Sequence, residues 1–259
     1  MEIAVFAGFS ADCHGRKAIV TGGTRGLGRV IAARLAEAGA RVAVCGRNEP
    51  EVLPEGVVFH GVDIRDAAQA EQFVGHVSKQ FGGLDILVNN AGGSPEGQFS
   101  DVSPRFLEAI VRLNLMAPMY LSQAALPHLV ASGGGSIVNI ASVSGMRPSP
   151  GTAAYGAAKA GLLNLTQTLA QEWGPHGIRV NAIVAGLMET ENSAETYGDQ
   201  SAQARIAASV PLLRMGTGDD IANAVLWLSS EASSWVSGAR INIDGGGERP
   251  LFLELVKGS

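Results

Sequence analysis

Two side chains with acid–base chemistry stand four residues apart in a stretch made almost wholly of small apolar residues. The stretch is TAAYGAAKAGLLN, residues 152–164, and the two side chains are Tyr155 and Lys159. Alanine-rich sequence favours helix, and residues i and i+4 share a helical face, roughly 5–6 Å apart at Cβ. The small neighbours leave that face open to a ligand. A solvated surface pair, or a tyrosine packed along the lysine stem, would give the same spacing.

The chemistry available to this pair is proton transfer to or from a carbonyl or alcohol oxygen. Tyrosine has an ordinary pKa near 10 and is a poor acid–base catalyst unless its anion is stabilised. A nearby ammonium favours the phenolate, and a decrease of about three pKa units corresponds to roughly 4 kcal/mol. We therefore expect Lys159 to lower the pKa of Tyr155. Tyr155 would then donate the proton in reduction and accept it in oxidation.

A glycine-rich turn, TGGTRGLG at residues 21–28, follows the first apolar run and precedes a helical pattern. Glycines let backbone N–H groups approach a pyrophosphate, and the helix N-terminus adds partial positive charge. An ordinary strand–helix connection is the alternative, but the position after the first buried strand favours dinucleotide binding. The predicted contacts in this turn are Thr21, Gly22, Thr24, Arg25, Gly26, Leu27 and Gly28.

The end of the second predicted strand bears on the choice of dinucleotide. Dinucleotide folds usually place an acid there to bind the ribose hydroxyls, but this chain has Arg47. Arginine can bind a 2′-phosphate through two hydrogen bonds, and Arg25 could add a second cation. Glu49 is close enough to serve as the ribose acid instead. We favour NADP(H), with NAD(H) as the alternative.

Short β-branched runs alternate with longer helical patterns along the whole chain. Strands are predicted at residues 17–23, 41–47, 57–63, 84–92, 135–142, 178–186 and 238–246. Helices are predicted at 27–39, 67–82, about 104–129 and 152–174, the third with a kink near Asn114 and Pro118. Continuous Val/Ile/Leu strands and this alternation predict one doubly wound Rossmann-type α/β domain. Its parallel seven-stranded sheet would carry helices on both faces. The expected organisation is an N-terminal extension at residues 1–14 and a single catalytic domain at residues 15–259. That domain includes a substrate lid at 187–211 and an apolar tail at 248–259.

Composition limits which binding partners and which cellular compartment are expected for this chain. The chain has 259 residues, 46% hydrophobic content and a formal charge of −5, which argues against nucleic acid and anionic membrane partners. Two cysteines are too few for a disulfide framework, and Cys45 lies in an apolar run. The first residues carry Glu2 in place of a basic targeting region, and no run is long enough to span a bilayer. We expect a soluble cytoplasmic protein with a loosely held N-terminal extension.

Taken together, these motifs resemble the short-chain dehydrogenase/reductase family, in its form of about 250 residues and particularly its 3-oxoacyl-reductase-like members. The resemblance runs from about Lys17 to Gly247 and includes TGGTRGLG, VDIR, NNAG and YGAAK. It implies a catalytic tetrad of Asn114, Ser142, Tyr155 and Lys159. Ser142 would hydrogen-bond the substrate oxygen, Asn114 would hold a water connected to Lys159, and Lys159 would also hold the nicotinamide ribose. Further cofactor contacts implied by the family are Asp63, Ile64, Asn90, Ala91, Gly92, Gly186, Met188 and Thr190.

The chain departs from the family pattern after the sixth strand, where Ala185 replaces the usual proline. Losing a fixed φ should make the lid more mobile. Gly186 and Thr190 are kept, so Met188 should still offer its backbone, and Thr190 its hydroxyl, to the cofactor. Ser94, Val143 and Tyr197 are the candidate substrate contacts, and no metal site is expected.

The resemblance implies hydride transfer between a nicotinamide cofactor and a small-molecule carbonyl or secondary alcohol, by a homotetramer or alternatively a homodimer. A non-catalytic dinucleotide sensor is the alternative from another class, although such proteins typically lose the Tyr or the Lys. A sugar-nucleotide epimerase would need a glycine where Arg25 stands.

Overall fold

Seven strands form one parallel sheet in the computed structural model, which describes residues 11–249. The strands are β1 (Lys17–Thr21), β2 (Arg41–Gly46), β3 (Val57–Gly61), β4 (Ile86–Asn89), β5 (Gly135–Ser142), β6 (Ile178–Ala185) and β7 (Arg240–Ile243). Their order across the sheet is β3-β2-β1-β4-β5-β6-β7, and every pairing is parallel. The predicted doubly wound α/β fold is confirmed.

Eight α-helices occur in the described part of the chain. They are α1 (Gly26–Glu37), α2 (Ala67–Phe81), α3 (Pro104–Val111), α4 (Ala117–Ala131), α5 (Ala153–Trp173), α6 (Ser193–Tyr197), α7 (Gln200–Ser209) and α8 (Gly218–Ser229). Successive strand residues face opposite layers. Ala18 and Val20 pack with the buried residues of α1 and α8. Ile19 packs with those of α2 and α4 on the other face.

The strand order reverses between β1 and β4, so the connections that leave these strands run to opposite sides. Ligands of open α/β sheets bind beyond the carboxyl ends of the strands at such a point. Thr21 ends β1 and Asn89 ends β4, which places the glycine-rich turn and the NNAG motif side by side. The fold thereby forms a cleft at the edge where the predicted site residues lie.

The helical stretch around Asn114 is interrupted in a way that the sequence analysis only partly anticipated. A π-helical segment, Arg112–Met116, connects α3 to α4 without ending the helical path. Pro118 lies in the first turn of α4 and has no N–H to donate back to the carbonyls of this segment. The irregularity therefore centres on Asn114, and π-bulges of this kind occur often at functional sites.

Several elements differ from the sequence-based expectations. The stretch 187–211, expected as a polar lid, contains two helices, α6 and α7. Helix α8 was not predicted, although Thr217 and Asp220 form a capping box at its start. The extension 1–14 was expected to be loosely held. Its described part includes Cys13, which is fully buried and donates its N–H to the Ala38 carbonyl at 3.0 Å. Residues 1–10 and 250–259, with most of the predicted apolar tail, lie outside the described residues.

Candidate active site

The glycine-rich turn and the NNAG motif are joined by the side chains of Thr21 and Asn90. Thr21 Oγ1 accepts the backbone N–H groups of Asn90 and Ala91, each at 3.0 Å, and Asn90 Nδ2 donates to the Thr21 carbonyl at 2.9 Å. Thr21 is buried and does not line the cleft. Thr21 therefore supports the turn from behind, and its predicted contact with the cofactor stays a prediction.

Close packing explains why glycines are needed in this turn. A Cβ on Gly28 would lie 2.3 Å from the Gly22 carbonyl oxygen and 2.4 Å from Asn90 Nδ2. Gly22 has φ +63° and faces Ala91 Cα, which would be 3.0 Å from an added Cβ. The turn thus brings backbone within contact distance of the NNAG motif, a packing that only glycine permits.

A cleft of about 1000 Å³ extends from this turn to helix α5. Most of the residues predicted from the sequence line it. They are Gly22, Thr24, Arg25, Gly26, Leu27, Gly28, Arg47, Asp63, Ile64, Asn90, Ala91, Gly92, Ser94, Ser142, Val143, Tyr155, Lys159, Gly186, Met188, Thr190 and Tyr197. Residues that are scattered over 176 positions of sequence thus share one cavity wall.

Tyr155, Ser142 and Lys159 meet where β5 and α5 border the cleft. Tyr155 and Ser142 both line the cleft, and the Ser142 side chain is near enough to the Tyr155 hydroxyl to influence its pKa. Lys159 Nζ lies 5.5 Å from the centre of the Tyr155 ring and donates to the Ile140 carbonyl at 2.7 Å. The predicted neighbours on one helical face are therefore neighbours in space, with the lysine held against the end of β5.

The pKa of Tyr155 departs from the expectation. Burial raises the pKa of Tyr155 above its ordinary value, the neighbouring Ser142 side chain opposes that rise, and nearby Tyr197 adds to it. Lys159 was expected to lower this pKa, but burial also disfavours its own charge, which weakens the ammonium as a partner. At neutral pH the phenol is consequently protonated and placed to donate a proton.

Burial lowers the pKa of Lys159 from 10.5 to about 8. The unfolded chain holds this proton up to pH 10.5 and the folded chain only up to about pH 8. Stability should therefore rise with pH between these values. The difference corresponds to about 3 kcal/mol. We expect the unfolding free energy of the native chain to gain that amount relative to Lys159→Met from pH 8 to 10.5, measured by urea titration. If the unfolding free energies of the two proteins changed with pH in the same way, Lys159 would not be a buried, destabilised charge.

Asn114 lies behind the cleft rather than in its wall. It is fully buried, and Oδ1 accepts the Gly93 N–H while Nδ2 donates to the carbonyls of Gly93 and Ile110, all at 2.9 Å. A Cβ on Gly92 would come within 2.6 Å of Asn114 Oδ1 and 3.1 Å of Lys159 Nζ. Asn114 thus fixes the backbone after the NNAG motif and lies next to Lys159.

A buried polar chain ties α5 to the sheet below the site. Asn89 Nδ2 donates to Asn139 Oδ1 at 2.8 Å, and Asn139 Nδ2 donates to Thr166 Oγ1 at 2.9 Å. Thr166 is two helical turns beyond Lys159 and on the same face of α5. Because the Asn139 amide is buried, sliding α5 along β5 would leave its Nδ2 without an acceptor on α5. These hydrogen-bonded side chains fix the position of α5 along β5 that places Tyr155 opposite Ser142.

The opposite end of the cleft is rich in charge. Arg25, Arg47 and Glu49 line it and are exposed. Arg65 donates to both carboxylate oxygens of Asp63, at 2.8 and 2.5 Å, and these bonds lower the pKa of Asp63. Three arginines therefore border this end, and Asp63 is already paired.

Some cleft residues were missed by the sequence analysis. Among them are Arg65, Ile140 and Asn192. Arg65 could have been found from its place two residues after Asp63. Ile140 had no detectable signal, because it acts through its backbone carbonyl.

Within residues 11–249, no helix combines the length and apolar character needed to cross a membrane. The same part of the chain contains no group of three or more His, Cys, Asp or Glu side chains suited to a metal ion.

Comparison with known proteins supports one family. Residues 22–248 match the family model described as enoyl-(acyl carrier protein) reductase. The chain is 36% identical to the 3alpha-hydroxysteroid dehydrogenase of Mediterraneibacter gnavus, over 88% of this chain and 95% of that protein. It is 34% identical to a 3-oxoacyl-(acyl-carrier-protein) reductase of Staphylococcus aureus, over 89% of this chain and 97% of that protein.

A solved structure from Agrobacterium tumefaciens, assigned provisionally as a 2-deoxy-D-gluconate 3-dehydrogenase and containing bound NADP, has a TM-score of 0.83 to this chain. The two are 36% identical, and the match covers 91% of this chain and 97% of the other. The predicted resemblance is confirmed: the chain belongs to the short-chain dehydrogenase/reductase family of oxidoreductases, which use nicotinamide cofactors.

Proposed function

We propose that this oxidoreductase interconverts a carbonyl and a secondary alcohol, with NADP(H) as the favoured nicotinamide cofactor and Tyr155 as the general acid and base. The observation that carries the proposal is the grouping of Tyr155 and Ser142 beside buried Lys159, in the wall of a cleft that begins at a glycine-rich turn. This arrangement supplies a proton at one end of the cleft and anion-binding groups at the other.

The cleft has the features that a dinucleotide needs. The first N–H groups of a helix have no intrahelical acceptors, so those of Leu27 and Gly28 in α1 are suited to a pyrophosphate. The close packing of Gly22 and Gly28 keeps side chains out of that position. Met188 and Thr190 line the same cleft near α5 and would contact the nicotinamide end. A bound nicotinamide would supply or accept the hydride.

The protein's own residues would handle the proton and the substrate oxygen. In reduction, Tyr155 donates its phenolic proton to the oxygen as that atom gains negative charge, and Ser142 hydrogen-bonds the same atom. Lys159 favours the resulting phenolate, because an ammonium stabilises a nearby anion. Asn114 holds the backbone against which Lys159 lies. Ser94, Val143 and Tyr197 would contact the rest of the substrate, and oxidation would run the same steps in reverse.

The preference for NADP(H) is assigned to Arg47, with Arg25 as a second cation. Replacing Arg47 by Leu should weaken NADPH binding about tenfold to 100-fold, as expected for a lost hydrogen bond to a charged group. Binding of NADH, which has no 2′-phosphate, should stay nearly constant. The measurement is a titration of the native and variant proteins with NADPH and NADH, followed by nicotinamide fluorescence.

Glu49→Gln is the matched control, since Glu49 lines the same end of the cleft and is equally exposed. It should leave the preference for NADPH in place. If the native protein prefers NADH and Glu49→Gln weakens that binding, the carboxylate holds the ribose and the assignment to Arg47 is wrong.

The organisation of the protein completes the proposal. Residues 15–259 would form one catalytic domain, with 187–211 closing over the substrate. The described cysteines, Cys13 and Cys45, are free and buried, which supports a reducing cytoplasm. The family resemblance supports a homotetramer, with a homodimer as the alternative, and light scattering on the purified protein would distinguish them.

A further inference from the structure

The first residues of the lid contact the start of helix α1 through one carboxylate. Glu191 Oε1 accepts the backbone N–H of Gly26 at 2.9 Å, across 165 residues of sequence. Gly26 is the first residue of α1 and part of the glycine-rich turn. A negative side chain is favourable at this position, because the N-terminus of a helix carries partial positive charge.

Glu191 reaches Gly26 from a side where its carboxylate would not compete with the cofactor. Gly26 borders two cavities, the dinucleotide cleft and a second cavity of about 550 Å³ on the outer side of α1. Glu191 lines the second cavity, together with Arg29 and Val30. Its neighbour Thr190 borders both cavities and Asn192 lines the cleft, whereas Glu191 does not line the cleft. The carboxylate therefore holds Gly26 from outside the cleft.

The surrounding contacts make this carboxylate an anchor for the start of the lid. Leu187 and Glu189 are already held through their backbones, by hydrogen bonds of 2.9 and 2.7 Å with Gly216. The Thr190 N–H donates to Ser193 Oγ at 2.8 Å. The hydrogen bond from Gly26, followed by one from its own backbone N–H, lowers the pKa of Glu191, and Arg29 and Arg25 act in the same direction. The side chain is consequently charged at neutral pH.

We propose that Glu191 is a positioning residue, which fastens the start of the lid to the phosphate-binding turn so that Thr190 faces the bound dinucleotide. This inference depends on the proposed binding of a nicotinamide dinucleotide in the cleft. Because the pyrophosphate is common to NADPH and NADH, the contribution of Glu191 is the same for both.

The test compares Glu191→Ala with Glu189→Ala and Glu191→Gln. Glu189 lines the same second cavity, is exposed and is anchored through its backbone, so it is a matched control for the loss of charge. Hydrogen exchange of residues 187–197 is measured without dinucleotide, and dissociation constants for NADPH and NADH are measured by fluorescence. Glu191→Ala should speed exchange and weaken both dinucleotides by about tenfold, a usual size for coupling between sites. Glu191→Gln should have smaller effects on exchange and on affinity than Glu191→Ala, because its amide oxygen can still accept the Gly26 N–H.

The outcomes separate this inference from the proposed function. Equal behaviour of Glu191→Ala and Glu189→Ala, or faster exchange with unchanged dissociation constants, overturns the positioning role. Tighter dinucleotide binding in Glu191→Ala would also overturn it, since the carboxylate would then repel the pyrophosphate. A native protein that binds neither dinucleotide refutes the proposed function and the positioning role together. In that case the exchange data would still establish whether Glu191 anchors the lid.

Discussion

Replacing Tyr155 by Phe should lower turnover of a carbonyl substrate by about 1000-fold, within the range for loss of a general acid. The substitution removes the only atom of the side chain that can donate a proton and leaves the ring that packs near Lys159 Nζ. Binding of NADPH should change by less than about twofold, because one hydroxyl is a small part of the contacts that the cleft offers a dinucleotide. Steady-state turnover and the fluorescence titration measure the two quantities separately.

Tyr120→Phe is the matched control for this substitution. Tyr120 lies on α4, is partly buried against the core and does not line the cleft. It should retain nearly native turnover. Native-like activity in Tyr155→Phe would refute the assignment of the general acid, and would favour Ser142 or a water as the proton donor. A protein that binds NADPH but turns over no carbonyl or alcohol would instead favour the non-catalytic sensor.

The direction of the Tyr155 pKa shift bears on how the site would work. A phenol whose pKa is raised by burial is fully protonated at neutral pH, so it can donate a proton at once in reduction. Oxidation needs the phenolate, which burial disfavours and a cationic neighbour favours. The same burial that raises the pKa of Tyr155 lowers that of Lys159 to about 8. Both shifts therefore disfavour an ion pair of Tyr155 phenolate and Lys159 ammonium in the cleft.

The sequence was sufficient to predict the elements that depend on local pattern. The spacing of apolar residues and the positions of glycines identify β1, α1 and α5. The i, i+4 spacing places Tyr155 beside Lys159. The order of motifs also placed Ser142 at the end of β5, where the structure has it. These features follow from residues close together in the chain, so a pattern can reveal them.

Other features depend on contacts between distant segments and could not be predicted. The bond from Lys159 to the Ile140 carbonyl involves a backbone atom, which every residue possesses. The contact between Glu191 and Gly26 depends on how the lid folds back over the turn. The lowered pKa of Lys159 reflects its burial, which the small residues around it do not specify on their own. Helix α8 is a different case, because its capping residues Thr217 and Asp220 were visible in the sequence.

Replacing Gly28 by Ala should nearly abolish dinucleotide binding. The added Cβ would lie 2.3 Å from the Gly22 carbonyl oxygen and 2.4 Å from Asn90 Nδ2, and the nearer of these is backbone that cannot rotate away. Relieving such overlap costs about 3 kcal/mol or more. If the turn moves to relieve it, the N–H groups of α1 no longer face the pyrophosphate, and affinity falls about 100-fold. Fluorescence titration with NADPH and urea unfolding measure the two consequences.

Gly75→Ala is the control that distinguishes a steric effect at the turn from a general effect of replacing a glycine. Gly75 lies within α2, and an added Cβ there has no atom within 4 Å. Alanine should raise the unfolding free energy by about 0.5–1 kcal/mol, since it is the better helix former, and dinucleotide binding should not change. If Gly28→Ala binds NADPH as tightly as Gly75→Ala does, the turn does not hold the pyrophosphate. The proposed orientation of the cofactor would then be wrong, because the remaining anion-binding groups of the cleft, Arg25 and Arg47, lie on flexible side chains that cannot fix the nicotinamide against Tyr155.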